Sequence, residues 1–311
     1  MKRRIEVVPT ISDRIKMFVV EKQAQGLSLS TLENYSVSLR IFMRENSLTG
    51  DEPVTALTKE MVQNWITGMI ENELNSNSIK HRIRDIRVFY YYLMENEDIP
   101  FFKIKVPSLQ ETEKPKIYSD EELSALLSIP DKKEEYWVWR SWLLTNILIG
   151  TGARIGSVCE LKKSDITDNT ITFNKTKNKK VLTVPLSGAL KQAINKYLKL
   201  WDIDSDYLLL SSRNGDLLNP HSAIHSFEKY AKLRGVKSLG LHSFRHTFSL
   251  QLYKNGTDIV TTQFLLGHSN IEITRKYIGK LTEADLPQYT NPLDRLLTQA
   301  KPKIKRKILS N

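Results

Sequence analysis

The chain of 311 residues, 40% of them hydrophobic, is long enough to form two domains that each bury a core. Its net charge of +11, from 46 Lys and Arg against 35 Asp and Glu, favours a polyanionic partner, with nucleic acid ahead of an anionic membrane. The single cysteine excludes an internal disulfide, and no apolar run reaches the roughly 20 residues that a membrane-spanning helix needs.

The first hundred residues predict a domain built from helices. Apolar side chains recur at helical spacing in segments that begin near Ser30, Thr58 and Ser78, and Ser30 with Glu33 forms a capping-box pattern. The third segment carries basic side chains on its other faces. A solvated surface is the simple interpretation of these side chains, and phosphate contact is the one that we prefer. The candidate contact residues are Lys80, Arg82, Arg84 and Arg87.

A linker separates this domain from the rest of the chain. Two prolines and four lysines interrupt the helical pattern in residues 101–118, and a second capping-box pattern at Ser119 and Glu122 resumes it. We therefore predict one domain in residues 1–113 and another in residues 114–311. The expected fold class is mainly α, with a small antiparallel β-sheet in the second domain.

A turn and a hairpin in the second domain carry the first candidate site residues. Gly152 and Gly156 allow a tight turn after an apolar run, and this turn would present Arg154 at the start of a helix. Alternating residues in 170–173 and 181–186 predict two strands, joined by a basic hairpin in which a lysine could protonate a leaving oxygen. The hairpin candidates are Lys175, Lys177 and Lys179.

The C-terminal part of the chain contains the most informative motif. His242 and Arg245 lie one helical turn apart, so their side chains can face one target. His268 follows on a loop, nine residues before Tyr277. Two imidazoles and a guanidinium around a phenol suit a phosphate better than a carbonyl or a metal. Tyr277 is therefore a candidate covalent nucleophile.

These elements, in this order, resemble the tyrosine recombinase family of site-specific DNA recombinases. The resemblance covers the family's whole catalytic domain, at about residues 118–296, and the N-terminal helices fit the family's SAM-like core-binding domain. It implies two domains that form a C-shaped clamp around DNA, with a C-terminal tail at about residues 282–311. The implied catalytic set is Arg154, Lys177, His242, Arg245, His268 and Tyr277.

The resemblance also implies how these residues would attack DNA. Arg154 and Arg245 would clamp the two non-bridging oxygens of a phosphodiester, which lowers the negative charge that repels a nucleophile. His242 would help to activate the Tyr277 hydroxyl, whose ordinary pKa is about 10. The product of the attack would be a 3′-phosphotyrosyl link between protein and DNA, together with a free 5′ hydroxyl.

The remaining two residues of the set would complete the step. His268 would hydrogen-bond the phosphate and its developing charge. Lys177, which lies eight residues before Pro185 as in many hairpins of the family, would protonate the departing 5′ oxygen. Because the bond energy stays in the protein–DNA link, the resemblance implies no ATP, no metal and no other cofactor. Six histidines without cysteines or paired carboxylates at ligand spacing also argue against a zinc site.

Two other classes of protein remain open at this point. A type IB topoisomerase shares the chemistry but relaxes supercoils as a monomer, without choosing a sequence. A non-catalytic DNA-binding module would need no tyrosine nucleophile. The length and the two-domain layout favour the recombinase over the topoisomerase, and the intact set of motifs favours it over the binding module.

Within the family, the chain resembles the simple members. Its helical domain begins by about Ser12, which leaves no room in this sequence for the extra arm-binding domain of many integrases. This favours a recombinase like the Xer proteins or the transposon resolvases, for integration, excision or resolution, with a small integrase of a mobile element as an alternative.

The family resemblance also implies partners. They are double-stranded DNA with inverted core repeats and other copies of the chain in a homotetramer. An accessory DNA-bending protein or a partner recombinase is a further candidate. The basic N-terminus lacks the apolar core of a signal peptide, so we expect a cytoplasmic protein that needs no membrane.

Overall fold

The chain folds into two compact units, Met1–Glu113 and Lys114–Asn311. The structure is a computed structural model, and it describes residues 8–109, 116–174, 181–213, 215–268, 270, 271 and 274. In these residues the fold is mostly helical, with one two-stranded antiparallel sheet. The predicted fold class, mainly α with a small sheet, is confirmed.

In the residues that the structure describes, the first unit is a bundle of four α-helices with a short 3-10 helix at Val54–Ala56. The α-helices are α1 (Ile11–Ala24), α2 (Leu29–Glu45), α3 (Lys59–Glu71) and α4 (Ser76–Glu95). A polar side chain caps the start of each α-helix by accepting a hydrogen bond from a backbone N–H of the first turn. Such a cap satisfies a donor that has no partner inside the helix. The capping residues are Thr10, Ser28, Thr58 and Asn75.

Two of these starts differ from the sequence prediction by one to two residues. The helix α2 begins at Leu29 because the Ser28 hydroxyl, rather than that of Ser30, accepts from the Thr31 N–H at 3.3 Å. The helix α4 begins at Ser76 rather than Ser78, because the Asn75 side chain caps it. Neighbouring Ser and Asn residues offer alternative caps, so the sequence locates a helix start only to within one or two residues.

Aromatic side chains hold the first unit together. Phe18 of α1 is fully buried, and its ring centroid lies 5.5 Å from that of Tyr35, 5.3 Å from that of Phe89 and 5.4 Å from that of Tyr92. These spacings fall within the range in which aromatic pairs attract one another beyond simple burial. They fix α1 and α2 against α4, and one side of α4 remains available for other contacts.

The second unit is built around one buried helix. Its helices are α5 (Asp120–Leu127), α6 (Tyr136–Thr151), α7 (Ile155–Cys159), α8 (Gly188–Leu200), α9 (Pro220–Leu233), α10 (His242–Lys254) and α11 (Ile259–Leu266). Most residues of α6 are buried, and the helix packs against α5, α8, α9 and α10. As predicted, the α5 helix begins with a capping box, in which Ser119 and Glu122 exchange hydrogen bonds of 2.9 and 3.2 Å.

The sheet lies beside these helices. Its strands are β1 (Thr170–Phe173) and β2 (Leu182–Pro185), and they pair antiparallel with Ile171 opposite Val184. Ile171 and Val184 point into the core, whereas the paired hydroxyls of Thr172 and Thr183 lie 3.1 Å apart on the solvent side. The two predicted strands are therefore present and paired. Among the residues described, no helix is long and apolar enough to cross a lipid bilayer.

Candidate active site

A glycine turn sets the position of Arg154. Gly152 ends α6 in the left-handed conformation, with φ of +63°, and its N–H donates to the Leu148 carbonyl at 2.9 Å. A Cβ atom on Gly152 would lie 2.3 Å from Phe248 Cδ1 and 2.9 Å from Leu266 Cδ2. Only glycine fits under these two neighbours. As predicted, Arg154 follows at the N-cap of α7, and its side chain is half-buried.

The Arg245 side chain ties this turn to a second one. It is 2% exposed, and its guanidinium donates to the Gly152 carbonyl at 2.8 Å and to the Leu266 carbonyl at 2.6 Å. These bonds join the ends of α6 and α11 to α10 and fix the plane of the guanidinium. An arginine keeps its positive charge when buried, so a permanent cation lies at the junction of three helices.

His242 begins α10 close to both arginines. Its side chain is exposed, yet desolvation by the neighbouring protein and the positive charges of Arg245 and Arg154 lower its pKa. Solvent still reaches the ring, so the two charges contribute to this pKa shift beside the partial desolvation. Their effect shows that the three side chains, from α7 and from one turn of α10, share one electrostatic site.

His268 completes this cluster from the end of α11. Gly267 ends that helix with φ of +61°, and His268 follows with 6% of its surface exposed. Its Nδ1 atom lies 2.8 Å from Thr274 Oγ1, and its carbonyl accepts from Gln263 Nε2 at 3.0 Å. Desolvation, followed by the charges of Arg245, Arg154 and His242, lowers the pKa of His268 to about 3. The imidazole is therefore neutral at physiological pH.

The hairpin packs against the same turn. A Cβ atom on Gly267 would lie 3.1 Å from Leu182 Cδ2 on β2, so the strand and the end of α11 are in close contact. The hairpin candidates Lys175, Lys177 and Lys179 lie outside the described residues, as does Tyr277. Of the predicted catalytic set, the structure brings together Arg154, His242, Arg245 and His268.

Sequence analysis did not identify Tyr118, which packs against α10 and supports it. Tyr118 is buried, and its ring stacks on Phe244 with centroids 4.6 Å apart. Its N–H donates to Thr247 Oγ1 at 3.1 Å, and its hydroxyl accepts from the Leu239 N–H at 2.9 Å. Tyr118 thus holds both the helix and the loop that leads into it. No local pattern pointed to this role, since all three partners lie more than a hundred residues away.

The basic face predicted for the first unit lies on α4. Arg84 is exposed and donates to His81 Nδ1 at 2.6 Å, and His81 Nε2 lies 3.4 Å from the buried carboxylate of Asp85. The Nη1 atom of Arg82 lies 4.0 Å from Oε1 of Glu45. Lys80, Arg82 and Arg87 are half-buried. Contact between these residues and DNA stays a prediction.

The candidate active-site cluster of Arg154, His242, Arg245 and His268 has the composition of a phosphate site. Two guanidiniums and two imidazoles can neutralise and hydrogen-bond the oxygens of a phosphodiester. In the part of the chain that the structure describes, no group of three or more His, Cys, Asp or Glu side chains could hold a metal ion.

Comparison with known sequences gives matches over most of the chain. Residues 116–283 match the sequence model of the phage integrase family, and residues 22–97 match the phage integrase N-terminal SAM-like domain. Tyrosine recombinase XerA of Thermococcus onnurineus (strain NA1) is 28% identical over 273 residues, which cover 86% of this chain and 90% of that protein. Tyrosine recombinase XerC of Staphylococcus aureus (strain JH9) is 28% identical over 268 residues, which cover 82% and 88%.

Solved structures share the fold. A lambda integrase dimer bound to a COC′ core site superposes with a TM-score of 0.68 at 18% identity, over 88% of this chain and 79% of that one. The Tn1549 transposon integrase in complex with transposon right end DNA gives a TM-score of 0.68 at 21% identity, over 88% and 96%.

Proposed function

Because the chain belongs to the phage integrase family and is a tyrosine recombinase, we propose that it cuts and rejoins DNA at specific sites through a 3′-phosphotyrosyl intermediate. One observation carries the chemistry. Arg245, three residues after His242, donates to the Gly152 carbonyl two residues before Arg154 and to the Leu266 carbonyl two residues before His268, so these bonds gather the four side chains from α7, α10 and the end of α11. That arrangement suits a scissile phosphate.

The two arginines bind and orient the phosphodiester. Arg245 is rigid because two backbone carbonyls hold it, and Arg154 is half-buried at the adjoining helix start. Their positive charges face the non-bridging oxygens and stabilise the charge that builds up in the transition state. A site fixed before substrate arrives loses little free energy in reorganisation.

The two histidines supply hydrogen bonds with different roles. His268 is neutral because its pKa is about 3, so it acts as a hydrogen-bond partner of the phosphate. His242 is exposed at the helix start and takes part in removing the proton of the attacking hydroxyl. The lowered pKa of His242 keeps its imidazole in the unprotonated form that this step requires.

Tyr277 is the proposed nucleophile. Thr274 is fully buried and hydrogen-bonded to His268. Tyr277 follows three residues later, and three residues of chain span at most about 11 Å, so Tyr277 lies within reach of the cluster. Its oxygen attacks phosphorus, the bond to the 5′ oxygen breaks, and Lys177 protonates that oxygen. The contact between Leu182 and Gly267 supports Lys177, because it brings the base of the hairpin to the end of α11.

The two units divide the work of binding. We assign residues 1–113 as the core-binding domain and residues 114–311 as the catalytic domain. The partner is double-stranded DNA with inverted core repeats, and a homotetramer of the chain binds it in the cytoplasm. The lambda and Tn1549 integrase structures are complexes of those proteins with DNA, which supports a DNA partner here.

Covalent trapping tests the proposal. Wild-type protein is incubated with nicked duplexes that carry candidate sites from the DNA flanking its gene, and the products are run on a denaturing gel. We expect a slowly migrating protein–DNA adduct from wild type and from the control Tyr289→Phe, and none from Tyr277→Phe.

Three outcomes would change the assignment. An adduct from Tyr277→Phe would exclude Tyr277 as nucleophile. Intact DNA binding without an adduct on any duplex would favour a non-catalytic DNA-binding module. Relaxation of unrelated supercoiled plasmids by a monomer would favour a type IB topoisomerase.

A further inference from the structure

We propose that His246 is a positioning residue whose ring holds the His242 imidazole in place at the phosphate site. This inference rests on the proposed function and adds a residue to it. His246 follows His242 by four positions, so both side chains leave the same face of α10. Their ring centroids lie 4.8 Å apart with an angle of 89° between the planes, an edge-to-face contact.

The contact restricts a ring that otherwise has freedom to turn. His242 stands in the first turn of its helix with its side chain exposed, and an exposed side chain exchanges rotamers rapidly. His246 is half-buried, one turn further into the helix. An edge-to-face aromatic pair has a preferred geometry, so the His246 ring selects one orientation of the ring above it.

The charge of His246 suits this supporting role. Burial, followed by the positive charges of His242 and Arg245, lowers the pKa of His246 to about 4. His246 therefore stays neutral near physiological pH and adds no positive charge beside His242. A positive charge at that position would oppose protonation of His242 when it accepts a proton during catalysis.

The chain contains a matched pair of histidines away from the site. His221 and His225 lie four residues apart on α9, with ring centroids 4.5 Å apart and an interplanar angle of 74°. Histidine pairs of this geometry therefore also form on the exposed face of a helix, away from the candidate site. The pair on α10 differs because, besides desolvation, the positive charges of Arg245 and Arg154 lower the pKa of His242. His225→Leu is consequently a control that removes the same kind of ring contact.

The test compares two replacements of His246 that fill its space differently. His246→Phe keeps an aromatic ring, whereas His246→Leu keeps apolar volume without one. Single-turnover cleavage is measured on the duplex that traps wild type, between about pH 5.5 and 9, together with DNA affinity and melting temperature. We expect His246→Leu to cleave about tenfold more slowly at unchanged affinity, and His246→Phe to stay within about threefold of wild type.

The pH profile separates positioning from direct chemistry. With His246→Phe the acid limb of the profile should match wild type, because a group with a pKa of about 4 does not titrate in that range. His225→Leu should match wild type throughout. Wild-type rates for His246→Leu would overturn the proposal, as would a shifted acid limb or a tenfold loss for His246→Phe.

If wild type forms no adduct, the proposed function is refuted, but the contact between His246 and His242 can still be tested without DNA. The ring-nitrogen NMR signals of His242 are then compared between wild type, His246→Phe and His246→Leu without DNA. We expect the line widths of the His242 signals to differ from wild type only in His246→Leu, because that variant lacks the ring that restricts His242. Identical His242 signals in all three proteins would overturn the positioning role.

Discussion

Arg245 is the residue around which the candidate site is assembled. Burying an isolated charge costs several kcal/mol unless other groups compensate it. Here two backbone carbonyls accept from the guanidinium, but carbonyl dipoles do not cancel its charge. Desolvation and, after it, the positive charge of Arg245 lower the pKa of His242, His246 and His268, and a phosphate oxygen bound here would face that charge.

The lowered pKa of His268 predicts how stability depends on pH. Between a pKa of about 3 in the folded protein and one near 6.5 in the unfolded chain, the unfolded chain binds more protons. The free energy of unfolding therefore falls as pH drops below about 6.5 and is level above it. At about pH 5 the loss due to His268 is at most about 2 kcal/mol.

Urea unfolding of wild type and His268→Gln at about pH 7.5 and 5 measures this effect. Wild type should lose more stability on acidification than the variant, because glutamine does not titrate. Equal losses in the two proteins would show that His268 is not the group responsible.

The helix α4 combines a structural face and a basic face. Asp85 is buried and accepts from Ser38 Oγ of α2 at 2.8 Å, while His81 and Arg84 adjoin it on the surface. Because Arg84 is always a donor, the Nδ1 atom of His81 accepts, and its Nε2 atom faces the carboxylate. The buried aspartate thereby orders part of the surface that we expect to contact DNA.

The charge on α4 predicts a salt effect on DNA binding. If Arg84 contacts a phosphate, Arg84→Ala should weaken binding to all sequences and lower the slope of log K against log salt by about 1. Fluorescence anisotropy with a labelled duplex over a salt series measures both quantities. Lys16→Ala, which removes an exposed charge from α1, is the matched control and should leave the slope nearer to wild type. An unchanged slope in Arg84→Ala would remove Arg84 from the interface.

At the scale of the whole molecule, charge and assembly are the decisive properties. A net charge of +11 draws the chain to DNA without regard to sequence, so specificity has to come from other contacts. The proposed recombination of two duplexes would use four active sites, so the proposed homotetramer requires contacts between copies of the chain on DNA. The segment after Tyr277 contains Leu281, Leu286, Leu293, Leu296 and Leu297, which could pack on a neighbouring copy.

Deletion of residues 292–311 should separate assembly from DNA binding. We expect the truncated chain to bind a single half-site as a monomer but to lose cooperative binding to the full site, because it loses three of these leucines. Gel-shift titrations on half and full sites measure the two steps. Lys303→Ser with Lys305→Ser keeps the leucines and should assemble like wild type. Cooperative assembly of the truncated chain would show that the tail docks elsewhere.

Local patterns in the sequence were enough to predict the mainly helical fold, the two-stranded hairpin, the capping box at Ser119 and the turn at Gly152. Each of these depends on residues that are neighbours in the chain, so short-range spacing carries the information. The resemblance to tyrosine recombinases followed from the order of such motifs. Domain roles, the hairpin lysine and the tyrosine nucleophile stay predictions.

The arrangement of the site was decided by tertiary structure. The bonds from Arg245 to carbonyls at Gly152 and Leu266, and the support of α10 by Tyr118, join residues far apart in the chain. His246 matched no motif. Its proposed role rests on the ring contact with His242 and on the burial and neighbouring charges that lower its pKa. The sequence alone determined which chemical groups this protein has. Packing decided which of them meet, because burial and charge depend on neighbours that no local pattern specifies.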